Sequence, residues 1–199
     1  MIRFILAFFA LVAATIAPAA AQPAQLPTRQ EAVFAGGCFW CMESDMGAIP
    51  GVISVMSGYT GGTLRNPAYE DVLTERTGHY EAVRVVFDPS VITYRQLVDR
   101  YWRLIDPTDN GGQFCDRGPS YRAAIFVTPA QRPDATASRD AVIASNRVRG
   151  RVVTAILPLA RFYEAEEYHR NYARRNPERY AAYRAGCGRT ARLRQVWGG

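Results

Sequence analysis

Two cysteines separated by two residues lie in the stretch 34–43, which reads FAGGCFWCME. The apolar residues that open this stretch favour the end of a strand, and the two glycines allow the backbone to turn sharply. Residues 42–46 are compatible with a helix, so Cys38 is expected near a helix N-terminus. Unpaired N–H groups and the helix dipole favour an anion there, which predicts a thiolate at Cys38. Cys41 lies one helical turn away, within reach of a disulfide.

The Cys-x-x-Cys spacing by itself is compatible with three kinds of site. A zinc site needs a second pair of ligands, but Cys115 and Cys187 are isolated in the sequence, and neither His79 nor His169 is paired with them. A structural disulfide is the second interpretation, because exported chains form such bonds. A thioredoxin-like redox motif is the third. The spacing alone leaves the last two open.

Two further features indicate what surrounds the reactive sulfur. Phe39 and Trp40 place large apolar side chains between the cysteines, which suits a pocket for a small apolar group such as a methyl thioether. Residues 79–87 alternate as a strand does, and Glu81 shares its face with three apolar residues. A carboxyl group in apolar surroundings needs a partner or stays protonated, and a protonated carboxyl is what a general acid requires.

The composition is that of one globular domain with a sizeable core. The chain has 199 residues, of which 48% are hydrophobic, with a net charge of +6 and a pI near 9.4. Its arginines are scattered without a basic block or an aromatic stacking pattern. We therefore expect a solvated basic surface and no nucleic-acid binding.

The first residues have the pattern of a secretory signal peptide over residues 1–21. Arg3 supplies the positive charge, residues 4–16 are apolar, and residues 19–21 offer a cleavage site. The apolar run is shorter than the ~20 residues that a spanning helix needs, so we expect no stable membrane insertion after cleavage. This predicts a periplasmic or secreted protein, with a flexible linker at 22–30 and a single domain at 31–199.

Strands and helices alternate along the predicted domain, with a long polar loop in the middle. Strands are predicted at 51–59, 79–87, 122–127 and 152–157, and helices at 93–104, 129–148, 164–174 and 177–184. Residues 69–75 are compatible with a short helix or a loop. The glycine-rich loop 106–119, which carries Cys115 and Asp116, is long enough to be functional. The pattern predicts an α/β or α+β fold with helices packed on a mixed sheet.

Several motifs in order resemble the A-type peptide methionine sulfoxide reductase family. They are GGCFWC at 36–41, SGYTGG at 57–62, NPAYE at 66–70, GHYEAV at 78–83, FDP at 87–89, IDPTD at 105–109, GQF at 112–114, DRG at 116–118 and SYR at 120–122. The resemblance covers about residues 31–180. It implies a ferredoxin-like α/β sandwich core with extended N- and C-terminal segments.

The resemblance also implies roles for particular residues. Cys38 matches the nucleophile, while Glu81, Tyr69 and Tyr121 match the positions that hydrogen-bond the sulfoxide oxygen and supply protons. Asp116 matches an acidic residue that orders the site. By the same resemblance, the aromatic pair at 39–40 holds the substrate methyl group.

The implied reaction converts methionine-S-sulfoxide, free or in oxidised proteins, into methionine. It leaves a cysteine sulfenic acid, which a second thiol converts into an intramolecular disulfide. A thioredoxin or a periplasmic equivalent then reduces this disulfide. The resemblance implies no metal, no cofactor and a monomeric enzyme.

The resolving cysteine differs from the family pattern, because many relatives carry glycine where this chain has Cys41. Proximity to Cys38 favours Cys41. Cys187, expected on a mobile C-terminal tail, is the second choice, and Cys115 is either a relay or a structural thiol. His79 is expected to be a packed strand residue and His169 a helix-surface residue, neither of them catalytic. The alternative functions are an exported Cys-x-x-Cys thiol-disulfide oxidoreductase and a non-catalytic secreted module.

Overall fold

The computed structural model describes residues 29–198 of the chain. The predicted signal peptide at 1–21 and nearly all of the predicted linker at 22–30 lie outside the described residues. Among the described residues, no helix has the length and hydropathy that would suit a membrane span. The first strand already begins at Gln30, one residue before the predicted start of the domain.

The described residues form eight strands and seven α-helices. The strands are β1 (Gln30–Ala35), β2 (Val52–Thr60), β3 (Tyr80–Phe87), β4 (Gly112–Gln113), β5 (Asp116–Arg117), β6 (Ala124–Val127), β7 (Ala155–Pro158) and β8 (Tyr163–Glu164). The helices are α1 (Phe39–Gly47), α2 (Tyr69–Leu73), α3 (Tyr94–Trp102), α4 (Arg132–Ala144), α5 (Tyr172–Arg175), α6 (Pro177–Gly186) and α7 (Arg189–Trp197). Two 3₁₀ turns lie at Pro119–Tyr121 and Glu167–His169.

Six strands form one mixed sheet in the order β7-β6-β1-β3-β2-β8, and β4 pairs with β5 separately. Within the sheet, β6 and β7 are parallel and the other pairs are antiparallel. The four strands β6-β1-β3-β2 have the strand order of a ferredoxin-like core, with α1 following β1 and α3 following β3. The predicted fold class and sandwich core are confirmed.

Helices α1 and α3 pack on one face of this sheet and fix the end of β1. The core between them includes Phe34 from β1, Met42 from α1 and Leu97 from α3, all fully buried. Helix α3 begins as predicted, because Thr93 accepts a hydrogen bond from the Gln96 backbone N–H at 3.2 Å. Its Tyr101 hydroxyl donates to the carbonyl oxygen of Ala35 at 2.8 Å, immediately before the chain turns into α1.

The turn between β1 and α1 requires both of its glycines. Gly37 has a φ of +80°, a backbone conformation that favours glycine. A Cβ atom at Gly36 would lie 2.5 Å from the sulfur of Met42, and one at Gly37 would lie 2.7 Å from the side chain of Gln113. Glycine at these positions lets α1 begin directly after the end of β1 and under the sheet, which buries the first residues of the helix.

The helix predicted at 164–174 is wrong. Residues in this segment form strand β8, the 3₁₀ turn and the short helix α5, with Asn171 at a left-handed φ of 51° between the last two. The Ala165 N–H donates to the carbonyl of Ser57 in β2 at 2.9 Å, so the segment is held against the sheet edge before a helix can begin. Helix α7 at the C-terminus was not predicted.

Candidate active site

Cys38 is the residue before the first turn of α1, as predicted. Its carbonyl oxygen accepts from the backbone N–H groups of Cys41 and Met42 at 3.1 and 3.2 Å. The Cys38 and Cys41 side chains are free thiols that are 7% and 2% exposed. The structure therefore places two reduced, buried thiols within one turn at the start of α1.

The predicted thiolate at Cys38 is wrong for the substrate-free protein. Burial raises the pKa of the Cys38 thiol well above its ordinary value, and its hydrogen bond to Cys41 and the nearby Glu81 raise it further. The same hydrogen bond lowers the pKa of Cys41 to about 7, and the positive charges of Arg189 and Arg184 contribute to this shift. Cys38 keeps the proton, and the more acidic sulfur of the pair is Cys41.

Glu81 reaches the start of α1 from the middle of the sheet. It lies on β3, is 2% exposed, and accepts a hydrogen bond from the Phe39 backbone N–H at 2.9 Å. Burial raises the pKa of Glu81 to about 8, although the Phe39 N–H and a hydrogen bond with Tyr121 oppose this shift. At neutral pH the carboxyl is thus mostly protonated, as the strand pattern predicted for a general acid.

Tyr69 and Tyr121 bring two hydroxyl groups to the same place. The Tyr121 side chain lies near both the Glu81 carboxyl and the Tyr69 side chain, close enough for these three groups to shift one another's pKa. Burial raises the pKa of Tyr69 to about 12 and that of Tyr121 further, so both hydroxyls stay protonated. The turn before Tyr121 is held by Glu75, which accepts from the Ser120 N–H at 2.9 Å and from its hydroxyl at 2.8 Å.

Tyr183, which was not predicted from the sequence, lies between Asp116 and Cys38. The Tyr183 hydroxyl donates to Asp116 Oδ2 at 2.7 Å and lies near enough to the Cys38 thiol to lower its pKa. Burial raises the pKa of Asp116, while the Tyr183 hydroxyl and the Cys38 backbone lower it. The order in the site is therefore Asp116, Tyr183, Cys38.

The aromatic wall that was predicted from Phe39 and Trp40 contains two more side chains. The Trp40 ring stacks on Tyr172 at 3.7 Å between centroids with a 6° interplanar angle, and its indole N–H donates to His169 Nδ1 at 3.1 Å. The prediction of a helix-surface His169 is wrong, because this ring is 3% exposed and lies 5.0 Å from the Phe39 ring. Burial lowers the pKa of His169, which favours the neutral ring that accepts from Trp40. His79 is buried as expected, with Nε2 2.8 Å from the Leu64 carbonyl oxygen.

Glu166, which was also not predicted from the sequence, holds Tyr59 and Tyr69 on the opposite side of the pocket from Trp40. It accepts from the Tyr59 hydroxyl at 2.7 Å and from the Tyr69 backbone N–H at 2.8 Å. The sequence did carry a signal for this segment, since residues 163–172 contain four aromatic or histidine side chains without an apolar period. No local signal identifies Tyr183, because only the fold brings α6 next to Cys38.

The other two cysteines form a disulfide. The sulfurs of Cys115 and Cys187 are 2.04 Å apart, and the Cys115 N–H points to the Cys187 sulfur at 3.2 Å. Cys187 does not lie on a loose tail as predicted, because it caps helix α6 and is tied to the β4–β5 loop. The choice of Cys41 as the resolving residue stays a prediction.

Comparisons with known proteins agree with this geometry. A family model described as peptide methionine sulfoxide reductase matches residues 30–199. The curated peptide methionine sulfoxide reductase MsrA 2 of Caulobacter vibrioides is 61% identical over 200 residues, which cover 100% of both chains. The solved methionine sulfoxide reductase A of Corynebacterium diphtheriae is 33% identical with a TM-score of 0.67, covering 76% of this chain and 77% of that one. Reduced Mxr1 of Saccharomyces cerevisiae is 28% identical with a TM-score of 0.70, covering 75% and 86%. The chain belongs to the A-type peptide methionine sulfoxide reductase family.

Proposed function

We propose that Cys38 attacks the sulfur of methionine-S-sulfoxide while Glu81, Tyr69 and Tyr121 hold and protonate the oxygen. The chain is a peptide-methionine (S)-S-oxide reductase by its family. The observation that carries the assignment of residues is the buried, mostly protonated Glu81, which accepts from the first N–H of α1 beside Cys38 at 2.9 Å and has Tyr69 and Tyr121 as neighbours. Preorganised donors in a water-poor cavity stabilise the charge that develops on oxygen.

The first step transfers one oxygen atom from the substrate to Cys38. Attack first forms a bond between the Cys38 sulfur and the sulfoxide sulfur. This S–S bond and the sulfoxide S–O bond then break as an S–O bond forms on Cys38, and methionine leaves as the thioether. Glu81 gives its proton to the departing oxygen, and the proton of the Cys38 thiol replaces it. The sulfoxide is reduced by two electrons, and Cys38 is oxidised to the sulfenic acid.

The second step uses the neighbouring sulfur. The Cys41 thiolate attacks the Cys38 sulfenic acid, an S–S bond forms, the S–O bond breaks, and the hydroxide leaves as water after it takes a proton. Proximity on α1 and the lowered pKa of Cys41 support this role. Cys187, the second choice, is already bonded to Cys115 and would first have to exchange that bond.

A dithiol of the thioredoxin type completes the cycle by exchange with the Cys38–Cys41 disulfide. The yeast relative Mxr1 has been solved in complex with Trx2, which supports a donor of this class. Oxidised proteins and methionine sulfoxide are the substrates of the proposed enzyme, and we expect it to act as a monomer.

Export to the periplasm or the exterior completes the proposal. The signal-peptide pattern at 1–21 supports it, and so does the Cys115–Cys187 disulfide, because such bonds persist in oxidising compartments. Mass spectrometry of the mature protein is expected to give an N-terminus at Gln22. A chain that retains Met1 after expression with its own leader would contradict this part.

The decisive experiment follows both epimers of methionine sulfoxide with purified protein and dithiothreitol. We expect consumption of the S epimer, no turnover by Cys38→Ser, and one stoichiometric reduction followed by slow recycling for Cys41→Ser. An inactive wild-type protein would contradict the assignment, and normal thioredoxin-dependent recycling of Cys41→Ser would contradict the role of Cys41. The alternative of a general thiol-disulfide oxidoreductase is not favoured. Family membership matches sulfoxide reduction, and so does a buried, mostly protonated Glu81 that can act as an acid.

A further inference from the structure

We infer that Arg189 is a positioning residue that works with Arg184 to keep the Cys41 sulfur ionised for its attack on oxidised Cys38. This inference rests on the resolving role of Cys41 proposed above. Neither arginine belongs to the motifs that carry the family resemblance, and both lie in the C-terminal helices.

Arg189 is held in one place by the interior of the protein. Its residue is 1% exposed, and its Nη atoms donate to the carbonyl oxygens of Gly36 at 3.3 Å and Leu104 at 2.6 Å. The guanidinium also lies 4.5 Å from the centroid of the Phe114 ring. A buried cation in this position costs desolvation energy, so a compensating anion is expected nearby.

That anion is Asp45, but it is shared between two arginines. Asp45 Oδ1 lies 2.9 Å from Arg184 Nη1, and Oδ2 lies 3.3 Å from Arg189 Nε. Asp45 follows Cys41 by four residues on α1, so the cluster lies on the face of the helix that carries this thiol. Within this cluster two cations face one carboxylate, and Arg189 also acts on Asp116, whose pKa it lowers.

The other titratable groups near the two thiols do not supply this charge. Cys38 and Tyr183 are neutral, since the pKa of each is raised by burial. Burial also raises the pKa of Tyr180, whose hydroxyl accepts from Arg184 at 3.0 Å. Glu81 is mostly protonated at neutral pH, and Asp116 is negative when ionised, which opposes a thiolate. Of these groups, Arg189 and Arg184 are therefore the ones that supply positive charge near Cys41.

The consequence is chemical, because only a thiolate attacks the sulfenic acid. Cys41 has to be ionised after Cys38 has been oxidised, in a cavity whose burial favours the neutral thiol. A fixed positive charge next to Cys41 opposes the effect of burial and favours the ionised form at neutral pH, in addition to the larger effect of the Cys38 side chain. The disulfide at Cys187, between the two arginines in sequence, ties this part of the chain to the site loop.

The first test titrates Cys41 alone, in the full-length mature protein with Cys38→Ser, which keeps a hydrogen-bond donor. Thiolate absorbance against pH should give a midpoint near that of the parent for Arg189→Lys and a midpoint about one pH unit higher for Arg189→Met. Arg192→Met is the matched control, because Arg192 lies on the same helix and holds a different carboxylate, Asp106, at 2.8 Å. An unchanged midpoint in Arg189→Met would overturn the inference.

The second test measures disulfide formation between Cys38 and Cys41 after one equivalent of methionine sulfoxide, by rapid quench and mass spectrometry. The pH of half-maximal rate should move upwards by about one unit in Arg189→Met, and raising the pH should restore the rate. A slow rate at every pH would indicate a merely structural role and overturn the inference. Arg184→Met, at a half-buried position, gives the same test if Arg189→Met does not fold.

The two proposals fail in different ways. If Cys41 is not the resolving residue, wild-type protein forms no Cys38–Cys41 disulfide after substrate, even where the thiolate titration shows the expected shift. If the arginine pair has no electrostatic role, that disulfide forms and the titration midpoints of the Arg189 variants coincide.

Discussion

The backbone N–H of Phe39 donates to Glu81 Oε2 at 2.9 Å, which joins the first residue of α1 to the start of β3. The start of a helix attracts an anion, and here the acceptor is a carboxyl group from the sheet. The neighbouring Cys38 sulfur is a buried thiol whose pKa is raised first by burial and then by Cys41 and Glu81. This hydrogen bond holds the Glu81 carboxyl, the proposed acid, next to Cys38, the proposed nucleophile.

Replacing Glu81 by glutamine should slow the first reduction by about a hundredfold or more, the usual contribution of a general acid. Glutamine keeps an acceptor for the Phe39 N–H but cannot transfer a proton. Single-turnover release of methionine from reduced protein measures this step. Glu164→Gln on β8, which removes ion pairs with Arg84 of β3 and with Arg170, is the control and should retain the parental rate.

The pH dependence of the same step should reveal the carboxyl group. Glu81 donates only while protonated, and its pKa of about 8 means that the proton is held below this pH and lost above it. We expect a descending limb above pH 8 in the wild-type single-turnover rate that is absent from Glu81→Gln. Identical profiles for the two proteins would show that another group supplies the proton.

Tyr183→Phe removes the hydroxyl between Asp116 and Cys38. That hydroxyl lowers the pKa of Cys38, so its loss should make the sulfur less reactive and reduce the first-step rate by about tenfold, typical of one hydrogen bond to a charged group. Tyr180→Phe, on the same helix, is the matched control for packing. Equal rates in the two variants would remove Tyr183 from the site.

The Cys115–Cys187 disulfide is expected to stabilise the fold without taking part in sulfoxide reduction. Its two cysteines are 72 residues apart, and closing a loop of this length restricts the unfolded chain by roughly 4 kcal/mol in the chain-entropy model. Urea unfolding of the Cys115→Ser, Cys187→Ser double variant should show a loss of free energy of unfolding up to this size. Its stoichiometric reduction of methionine sulfoxide should continue, and complete loss of that first turnover in a folded variant would assign the pair to the chemistry.

Short-range patterns predicted much of the site. Alternation along β3 placed Glu81 on a buried face, and the glycine pair placed Cys38 at the start of a helix, both as the structure has them. The protonation of Cys38 was not predictable, because it depends on burial and on the acceptor that occupies the helix start. Tyr183 and Arg189 could not be identified either, since they reach the thiols only through the packing of α6 and α7. His169 was misassigned because its segment was taken for a regular helix, whereas Asn171 interrupts it.

Trp40 follows Cys38 by two residues and is stacked on Tyr172, whereas Trp102 and Trp197 donate to Ser138 and to the carbonyl of Ile105. We expect formation of the Cys38–Cys41 disulfide to change the emission of the neighbouring Trp40 indole. Such a change would let oxidation and recycling of the enzyme be followed without any attached dye.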